Sequence, residues 1–314
     1  MAASSHSISI PIVAWVIWIF LCEKCLDNAL HQLVNVTAFG SISDLQLEQA
    51  KALQETGWWP SNNSNSSACH WDGITCNTGG TVTSVNRYDH GLKGQLKLNF
   101  SFFPNLVSVN LSRNNLQGLI PLEIWMLKNL TILCLYSNML VGPIPSTISH
   151  LTNLESLYLD ANEINGSIPP EIGMLKNPTF LSLSSNMLVG PIPTTLDHFT
   201  NLEYLNLGWN KINGSIPPEI GMLKNLTNLF IHPNMLVGPV PSTIGYLTNL
   251  RILYLDQNKI NGSIPLEIGM LKNLTFLSLS LNMLVGRIPT TLSHLTNLKS
   301  LYLDGNKIDG FIPP

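Results

Sequence analysis

The sequence predicts an elongated α/β solenoid, in which short repeated units stack side by side around a shared apolar core. From Asn105 onward the chain keeps a strict period of 24 residues, with eight full units and the first part of a ninth. Each unit follows the pattern N-L-x-x-L-x-L-x-x-N-x-L-x-G-x-I-P. A fixed period of this length is typical of stacked repeats, in which each unit contacts only its neighbours.

The L-x-L segment of each unit predicts a strand. In unit two, Leu133 and Leu135 alternate with Cys134 and Tyr136, which is the two-residue rhythm of a strand whose leucines face inward. A single strand cannot bury such a face. We therefore expect neighbouring units to pair as parallel strands about 4.8 Å apart.

Three recurring residues are expected to turn the chain after this strand. The Asn amide both donates and accepts, so it can satisfy backbone groups that the stack would bury. The Gly permits a turn that a Cβ would resist, and the Pro of each I-P stops any long helix on the outer side. The prediction is a curved parallel sheet on the concave face with 3₁₀ or irregular segments on the convex face. The recurring Asn residues are Asn114, Asn138, Asn162, Asn186, Asn210, Asn234, Asn258, Asn282 and Asn306.

One unit departs from the pattern. Pro178 replaces the first Leu of unit four, and it either removes a strand N–H or lies at a tolerated strand edge.

The L-x-G-x-I-P extension resembles the plant-specific class of leucine-rich repeat. The resemblance continues upstream, where a helix predicted at Asp44 to Glu55 precedes the segments GWWP and CHWDGITC. This stretch is similar to the N-terminal cap of plant leucine-rich repeat receptors. Trp58, Trp59 and Trp71 are the expected packing residues of a cap that hides the apolar end of the first repeat.

The resemblance implies a right-handed superhelix with a helical cap at its N-terminal end. We expect the cap at residues 41–81, a degenerate first repeat at 82–104 and the regular repeats at 105–314. In the degenerate repeat, Arg87 and His90 stand where Leu and Asn are expected.

A 48-residue alternation overlies the repeat. Even-numbered units carry N-M-L-V-G-P-I-P-[ST]-T and units three, five and seven carry variants of E-I-x-x-N-G-S-I-P-P-E-I-G-M-L-K. This alternation resembles the ectodomains of leucine-rich repeat receptor-like kinases of the MDIS1-interacting type. The resemblance implies a secreted peptide or protein as ligand, a possible leucine-rich repeat co-receptor kinase, and a Ser/Thr kinase domain in a full-length relative.

The N-terminus predicts entry into the secretory path. An apolar run from Ile8 to Cys22 is shorter than the ~20 residues of a membrane span. It favours a signal peptide at residues 1–25, with an uncleaved anchor as the alternative. The expected location is secreted, or the extracellular face of the plasma membrane. Eleven N-x-S/T acceptors agree with this, although fewer should carry glycans: Asn35, Asn62, Asn65, Asn99, Asn110, Asn129, Asn165, Asn213, Asn225, Asn261 and Asn273.

Five cysteines are present, and Cys22 and Cys25 lie in or beside the predicted signal. In an oxidising compartment Cys69 and Cys76 are close enough in sequence to bridge. Cys134 is then left as an unpaired thiol.

Several classes of function are disfavoured. A formal net charge of -3 gives no basic field for nucleic acid. The sequence lacks the H-E-x-x-H, G-x-S-x-G, Walker and kinase motifs, so we expect no catalysis and no cofactor. His150, His198 and His294 hold one position in units two, four and eight. Even units two apart place equivalent atoms about 10 Å from each other, which is too far to share a metal ion.

The residues between the strand leucines are free to vary and are the predicted binding surface. Nine strands offer roughly 40 Å of track, enough for about a dozen residues of an extended peptide. Aromatic and polar side chains suit such a ligand, although any one of them could be an ordinary exposed strand residue. The candidates are Tyr158, Asp160, Phe180, Tyr204, Phe230, Tyr254, Asp256, Phe276 and Tyr302.

Three functions remain open. The first is the recognition module of a plant receptor for defence or development. The second is a secreted wall protein resembling polygalacturonase-inhibiting proteins, and the third is a truncated decoy, since the sequence stops inside unit nine.

Overall fold

A computed structural model of the protein describes residues 41–60 and 67–309. The predicted signal peptide, the acceptors Asn35, Asn62 and Asn65, and residues 310–314 lie outside the described residues. In the described ranges, no helix is both long and apolar enough to cross a membrane.

Each 24-residue unit contributes one strand to a continuous sheet, as the L-x-L pattern predicts. Each strand pairs in register with the equivalent strand of the next unit, so that Leu157 pairs with Leu181 and Leu181 pairs with Leu205. One unit with its strand is called a rung of the stack. The strands are β1 Ile74–Cys76, β2 Val82–Asn86, β3 Lys93–Gln95, β4 Ser108–Asn110, β5 Asn115–Leu119, β6 Ile132–Cys134, β7 Met139–Pro143, β8 Ser156–Tyr158, β9 Glu163–Ser167, β10 Phe180–Ser182, β11 Met187–Val189, β12 Tyr204–Asn206, β13 Asn228–Phe230, β14 Val237–Gly238, β15 Ile252–Tyr254, β16 Lys259–Ile260, β17 Phe276–Ser278, β18 Val285–Arg287, β19 Ser300–Tyr302 and β20 Lys307–Asp309.

The main sheet has the order β1-β2-β4-β6-β8-β10-β12-β13-β15-β17-β19. Only the β1–β2 pair is antiparallel; the others are parallel. The strand leucines point into the core, and Leu133 and Leu135 are completely buried. Their neighbours point outward and form the concave face, defined here as the outward side chains of this sheet.

A second parallel sheet lies on the flank, and the sequence reasoning missed it. Strands β3, β5, β7, β9 and β11 form one ladder, and β14–β16 and β18–β20 form two short ones. They arise from the x-L-x-G segment, in which Leu140 is buried and Gly142 has φ of 88°. One inward Leu followed by a Gly in the left-handed backbone conformation is too short a pattern to predict a strand from its periodicity.

The convex side consists of 3₁₀ helices, as the recurring Pro predicts. In each unit with a convex helix, a Pro precedes the helix and its carbonyl accepts the first helical hydrogen bond, as from Ile124 N–H to Pro121 O at 3.2 Å. The 3₁₀ helices are Ala68–His70, Phe100–Phe102, Leu122–Met126, Ser146–His150, Pro170–Met174, Thr194–His198, Pro218–Met222, Ser242–Tyr246, Leu266–Met270 and Thr290–His294.

The Asn that follows each strand joins adjacent units. Asn162 Nδ2 donates to Leu135 O of the preceding unit and to Leu159 O of its own, at 3.0 and 3.1 Å. Its Oδ1 accepts from Leu140 N–H at 3.0 Å. The amide therefore satisfies buried backbone groups on two rungs at once.

Helix α1, Ile42–Glu55, closes the N-terminal side of the stack. Ser41 caps it by accepting from Asp44 N–H at 3.2 Å. The buried Gln49 donates to Phe102 O at 2.9 Å and accepts from Val82 N–H at 3.0 Å. These bonds attach the helix to β2 and to the segment before unit one.

Three tryptophans and a disulfide consolidate the region after α1. Trp58, Trp59 and Trp71 are buried. The centre of the Trp59 ring lies 6.1 Å from that of Trp58 and 6.0 Å from that of Trp71. Cys69 and Cys76 are bridged. Arg87, in place of an inward Leu, is 8% exposed, and its guanidinium binds Asp72 at 2.6 Å and lies 5.0 Å from the centre of the Trp59 ring.

Pro178 lies outside the strand. The N–H groups of Thr179 and Phe180 both donate to Glu155 O, at 2.8 and 3.1 Å, so the ladder into β10 is unbroken. Of the two alternatives for this residue, the loss of a strand N–H is wrong, because β10 begins only at Phe180.

Candidate functional site: the concave face

The repeat places three rows of side chains along the concave face. Because strand residues alternate in direction, the first and third residues of each strand face outward, and so does the residue two positions later. In unit three these are Ser156, Tyr158 and Asp160. Corresponding residues of adjacent units are direct neighbours across the sheet, as the pairing of Phe180 with Tyr204 illustrates.

The structure brings all seven aromatic candidates into one line of contacting rings, which we call the aromatic ladder. Phe180 and Tyr204 stack with centroids 4.1 Å apart and planes 5° from parallel. Tyr158 stacks on Phe180 at 4.3 Å, and Tyr254 on Phe276 at 4.4 Å. The remaining contacts run from Tyr204 to Phe230, Phe230 to Tyr254 and Phe276 to Tyr302, at 5.4, 5.3 and 5.3 Å.

The ladder draws its rings from two adjacent rows, so every unit from three to nine contributes one ring. Phe180, Tyr204 and Phe276 come from the first row, whereas Tyr158, Phe230 and Tyr254 come from the second. A diagonal neighbour on the next strand is within reach of a long aromatic side chain. Offset ring pairs of this kind contribute about 0.5–1.5 kcal/mol each beyond their buried area. The rings therefore hold one another in place before any ligand arrives.

The ladder extends further than the sequence predicted. Tyr136 lies between Tyr88 and Tyr158, with ring centroids 6.4 Å from each. His232 stacks on Tyr254 at 4.6 Å. Tyr136 and His232 belong to the third row, and Tyr88 belongs to the degenerate repeat. Reading the outward positions of all three rows together would have found them.

Burial raises the pKa of Tyr158, Tyr204 and Tyr254 above the ordinary tyrosine value, and nearby acidic groups add to the effect. Their hydroxyls are therefore neutral donors at physiological pH.

Asp160, a predicted binding residue, is engaged within the protein. Its Oδ1 accepts from the hydroxyls of Ser182 and Ser184 on the next rung, the latter at 2.7 Å. Ser184 N–H also donates to it at 3.3 Å. Nearby Cys134 is a free, half-buried thiol, and burial, aided by the charge of Asp160, raises its pKa to about 11.

Asp256, the equivalent carboxylate four units later, has a different environment. It is 8% exposed, and among the described residues its Oδ1 is buried without a hydrogen-bond partner. On the preceding rung, His232 Nδ1 is also buried and unpaired. Burial lowers the pKa of His232, while the charge of Asp256 opposes this shift, so the imidazole is neutral at physiological pH.

The predicted glycan acceptors fall into two groups. Asn110 is half-buried on the concave face, and its Oδ1 accepts from Ser112 N–H at 3.2 Å. The other described acceptors are exposed: Asn99, Asn129, Asn165, Asn213, Asn225, Asn261 and Asn273. Within the described ranges, no three His, Cys, Asp or Glu residues are grouped as a metal site.

Comparison with known proteins identifies the repeat. A model described as a leucine-rich repeat region matches residues 193–310. A second model, described as Leucine Rich Repeat, matches residues 105–127, 129–151 and 153–175. Phytosulfokine receptor 1 of Arabidopsis thaliana is 36% identical to the chain over 77 residues, which cover 24% of this chain and 8% of that protein.

Several solved structures are similar over most of the chain, and two of them are ectodomains of plant receptor kinases with a bound ligand. The leucine-rich repeat ectodomain of the Arabidopsis thaliana receptor kinase GASSHO1/SCHENGEN3, in complex with CASPARIAN STRIP INTEGRITY FACTOR 2, is 38% identical with a TM-score of 0.79. The alignment covers 86% of this chain and 33% of that one. The ectodomain of the Arabidopsis receptor kinase HAESA, in complex with an IDA peptide hormone ligand, is 30% identical with a TM-score of 0.70, covering 85% and 51%. The chain thus spans a third to half of these ectodomains.

Proposed function

The chain belongs to the leucine-rich repeat family and is similar to plant receptor-kinase ectodomains, and from this premise we propose that it is the extracellular recognition part of such a receptor. Its ligand is a secreted peptide or protein that lies along the concave face. Signalling is supplied by a kinase domain of the whole receptor, or by a leucine-rich repeat co-receptor kinase. The 48-residue alternation supports the narrower assignment to the MDIS1-interacting type.

The aromatic ladder is the observation that carries this proposal. Rings from Tyr158 to Tyr302 follow the length of the sheet, as an extended peptide would. Aromatic side chains supply large contact areas and lose little conformational entropy when they are already packed. In the same proposal residues 41–81 form the N-terminal cap, residues 82–104 a degenerate first repeat, and the exposed acceptors carry glycans.

Peptide selection against the secreted full chain tests the proposal. The probe is a displayed library of random twelve-residue peptides, and affinities of synthetic copies are then measured by calorimetry. The Tyr254→Ala, Phe276→Ala double variant should weaken these peptides by more than about 1 kcal/mol, or roughly fivefold.

The matched control is Tyr246→Ala. This ring lies on the convex side, is 46% exposed and contacts Lys224 Nζ at 4.5 Å. It should leave peptide affinity unchanged. Equal losses in the double variant and in the control, with unchanged thermal unfolding in both, would remove the concave face as the binding surface.

A further inference from the structure

The concave face has a pronounced charge asymmetry. Its three rows in units one to nine carry the carboxylates of Asp160, Asp256 and Asp304 but no Lys or Arg. The only basic side chain among them is His232, whose pKa is lowered by burial. A ligand that lies along these rows therefore meets acidic and aromatic groups and no Lys or Arg belonging to the rows. The guanidinium of Arg113 lies at the N-terminal end of the face, 5.8 Å from the centre of the Tyr88 ring.

The three carboxylates differ in how they are satisfied. Asp160 accepts hydrogen bonds from Ser182 and Ser184 on the following rung. Asp304 accepts from the Ser280 hydroxyl at 2.5 Å and is exposed, so water can solvate it. Asp256 has neither arrangement, because it is buried and its Oδ1 lacks a partner among the described residues. Its Oδ2 accepts one long hydrogen bond, from Gln257 Nε2 at 3.4 Å.

Competition for one hydroxyl explains why Asp256 lacks the bond that Ser184 gives to Asp160. Ser278, the counterpart of Ser182, does not bond to the Asp256 Oδ1 either, since that atom has no partner among the described residues. Ser280 occupies the same position relative to Asp256 as Ser184 does to Asp160. The rung beyond Ser184 carries Gly208 in that row, whereas the rung beyond Ser280 carries Asp304. A serine hydroxyl has a single proton to donate, and Ser280 donates it to Asp304.

The backbone around Asp256 loses a donor as well. In the other rungs from unit one to unit eight, the N–H of the residue after the third-row position donates to the next rung, as Trp209 N–H does to His232 O at 3.1 Å. In unit six that residue is Pro233, which has no N–H. The carbonyl of Asp256 keeps only the Asn258 side chain, at 3.1 Å.

Aromatic groups surround this acidic position. His232 and Phe276 both stack on Tyr254, the second-row residue beside Asp256, at 4.6 and 4.4 Å. Phe230 lies 5.3 Å from the same ring. Ring faces attract cations, and a buried carboxylate with one oxygen lacking a donor is costly until a cationic donor reaches it.

Resting on the proposed function, we propose that units six to eight hold a cationic side chain of the ligand, a Lys ammonium or an Arg guanidinium, with Asp256 as its charge partner. The rings of Phe230, Tyr254 and Phe276 form the walls around its aliphatic stem. The ligand class is therefore a basic peptide, since an acidic segment would place like charges against this row.

The test uses the twelve-residue peptides selected from the random library. Peptides that require Tyr254 and Phe276 should be enriched in Lys and Arg relative to the starting library. In their synthetic copies, replacing the cationic residue by the neutral isosteres citrulline or norleucine should weaken binding roughly tenfold. Asp256→Asn should weaken the cationic peptides by a similar factor and leave the neutral analogues unchanged.

Asp160→Asn is the matched control, because it removes an equivalent carboxylate that serine hydroxyls already satisfy. It should change affinity less than threefold. Peptides that need the rings but show no enrichment in cations, or that respond equally to both Asp variants, would overturn this inference alone. Selected peptides that bind independently of the rings would overturn the proposed function and this inference together.

Discussion

Replacing Asn162 by Ala should destabilise the solenoid far more than removing an exposed Asn. Asn162 is 8% exposed. Its amide has two protons, which three carbonyl oxygens at 3.0 to 3.2 Å share, and its Oδ1 accepts from Leu140 N–H at 3.0 Å. Counting two donated bonds and one accepted bond at roughly 1 kcal/mol each gives a loss of about 3 kcal/mol.

Asn153→Ala is the control for this substitution. Asn153 is exposed and makes one hydrogen bond between units, from its Nδ2 to Lys128 O at 2.9 Å. Its removal should cost less than about 1 kcal/mol, because water replaces the lost partner.

Urea unfolding of both variants gives the difference in stability, and hydrogen exchange followed by mass spectrometry locates it. Since a repeat unit is stabilised mainly by its neighbours, Asn162→Ala should lose protection first in units two to four. Equal costs for the two variants, or an even loss of protection along the chain, would refute the view that the buried amide joins the units.

Three further predictions concern the concave face. Burial lowers the pKa of His232 in the folded chain, so below the ordinary value of about 6.5 the unfolded chain binds more protons at this residue, and the free energy of unfolding decreases as the pH is lowered. In urea titrations from pH 7.5 to 5, His232→Asn should show a flatter dependence of this free energy on pH than the natural sequence, and parallel curves would contradict this. Burial raises the pKa of Cys134 to about 11 from an ordinary 9.0, so near neutral pH its thiolate is about a hundredfold rarer than that of an exposed cysteine. Alkylation of Cys134 by iodoacetamide, measured by mass spectrometry of the peptide that contains it, should be slow in the folded chain and fast in urea. Equal rates would refute the burial argument. Asp160→Asn should lower the free energy of unfolding by about 1–2 kcal/mol, because charge-assisted hydrogen bonds from serine hydroxyls become neutral ones. Asp256→Asn should leave the free energy of unfolding unchanged or raise it. If both variants are destabilised, the Asp256 carboxylate is already satisfied in the folded protein.

The repeat frame made much of the fold predictable from sequence. Once the period was fixed, the inward direction of Leu133 and the turn at each recurring Asn followed from strand geometry and backbone satisfaction. The flank sheet did not follow, because strands such as Val237–Gly238 are two residues long and leave no periodic signal. The buried Arg87 was visible as a deviation from the repeat, but its pairing with Asp72 depends on how the loop before β1 folds back.

The candidate site was predictable in position and not in chemistry. The repeat pattern assigned Tyr158 and Phe180 to neighbouring outward positions. Their ring contact, with centroids 4.3 Å apart, depends on side-chain rotamers that the sequence alone does not specify. Asp160 and Asp256 were indistinguishable in the sequence rows, since each is followed by serines on the next rung. The structure separates them because hydrogen bonds along a stack are directional, and the choice made by one serine depends on the rung beyond it.

This dependence shows how a duplicated repeat can acquire a carboxylate with different hydrogen-bond partners through few substitutions. Units three and four are close copies of units seven and eight, so the surroundings of Asp160 and Asp256 begin alike. Gly208, in the unit after the first copy, leaves Ser184 free to donate to Asp160, whereas Asp304, in the unit after the second copy, accepts from Ser280. The leucines and the Asn amides need not change, since they face the core and satisfy only backbone groups. At the third-row positions, a substitution can therefore change the partner of a carboxylate without disturbing the packing that holds it, as the proposed site at Asp256 requires.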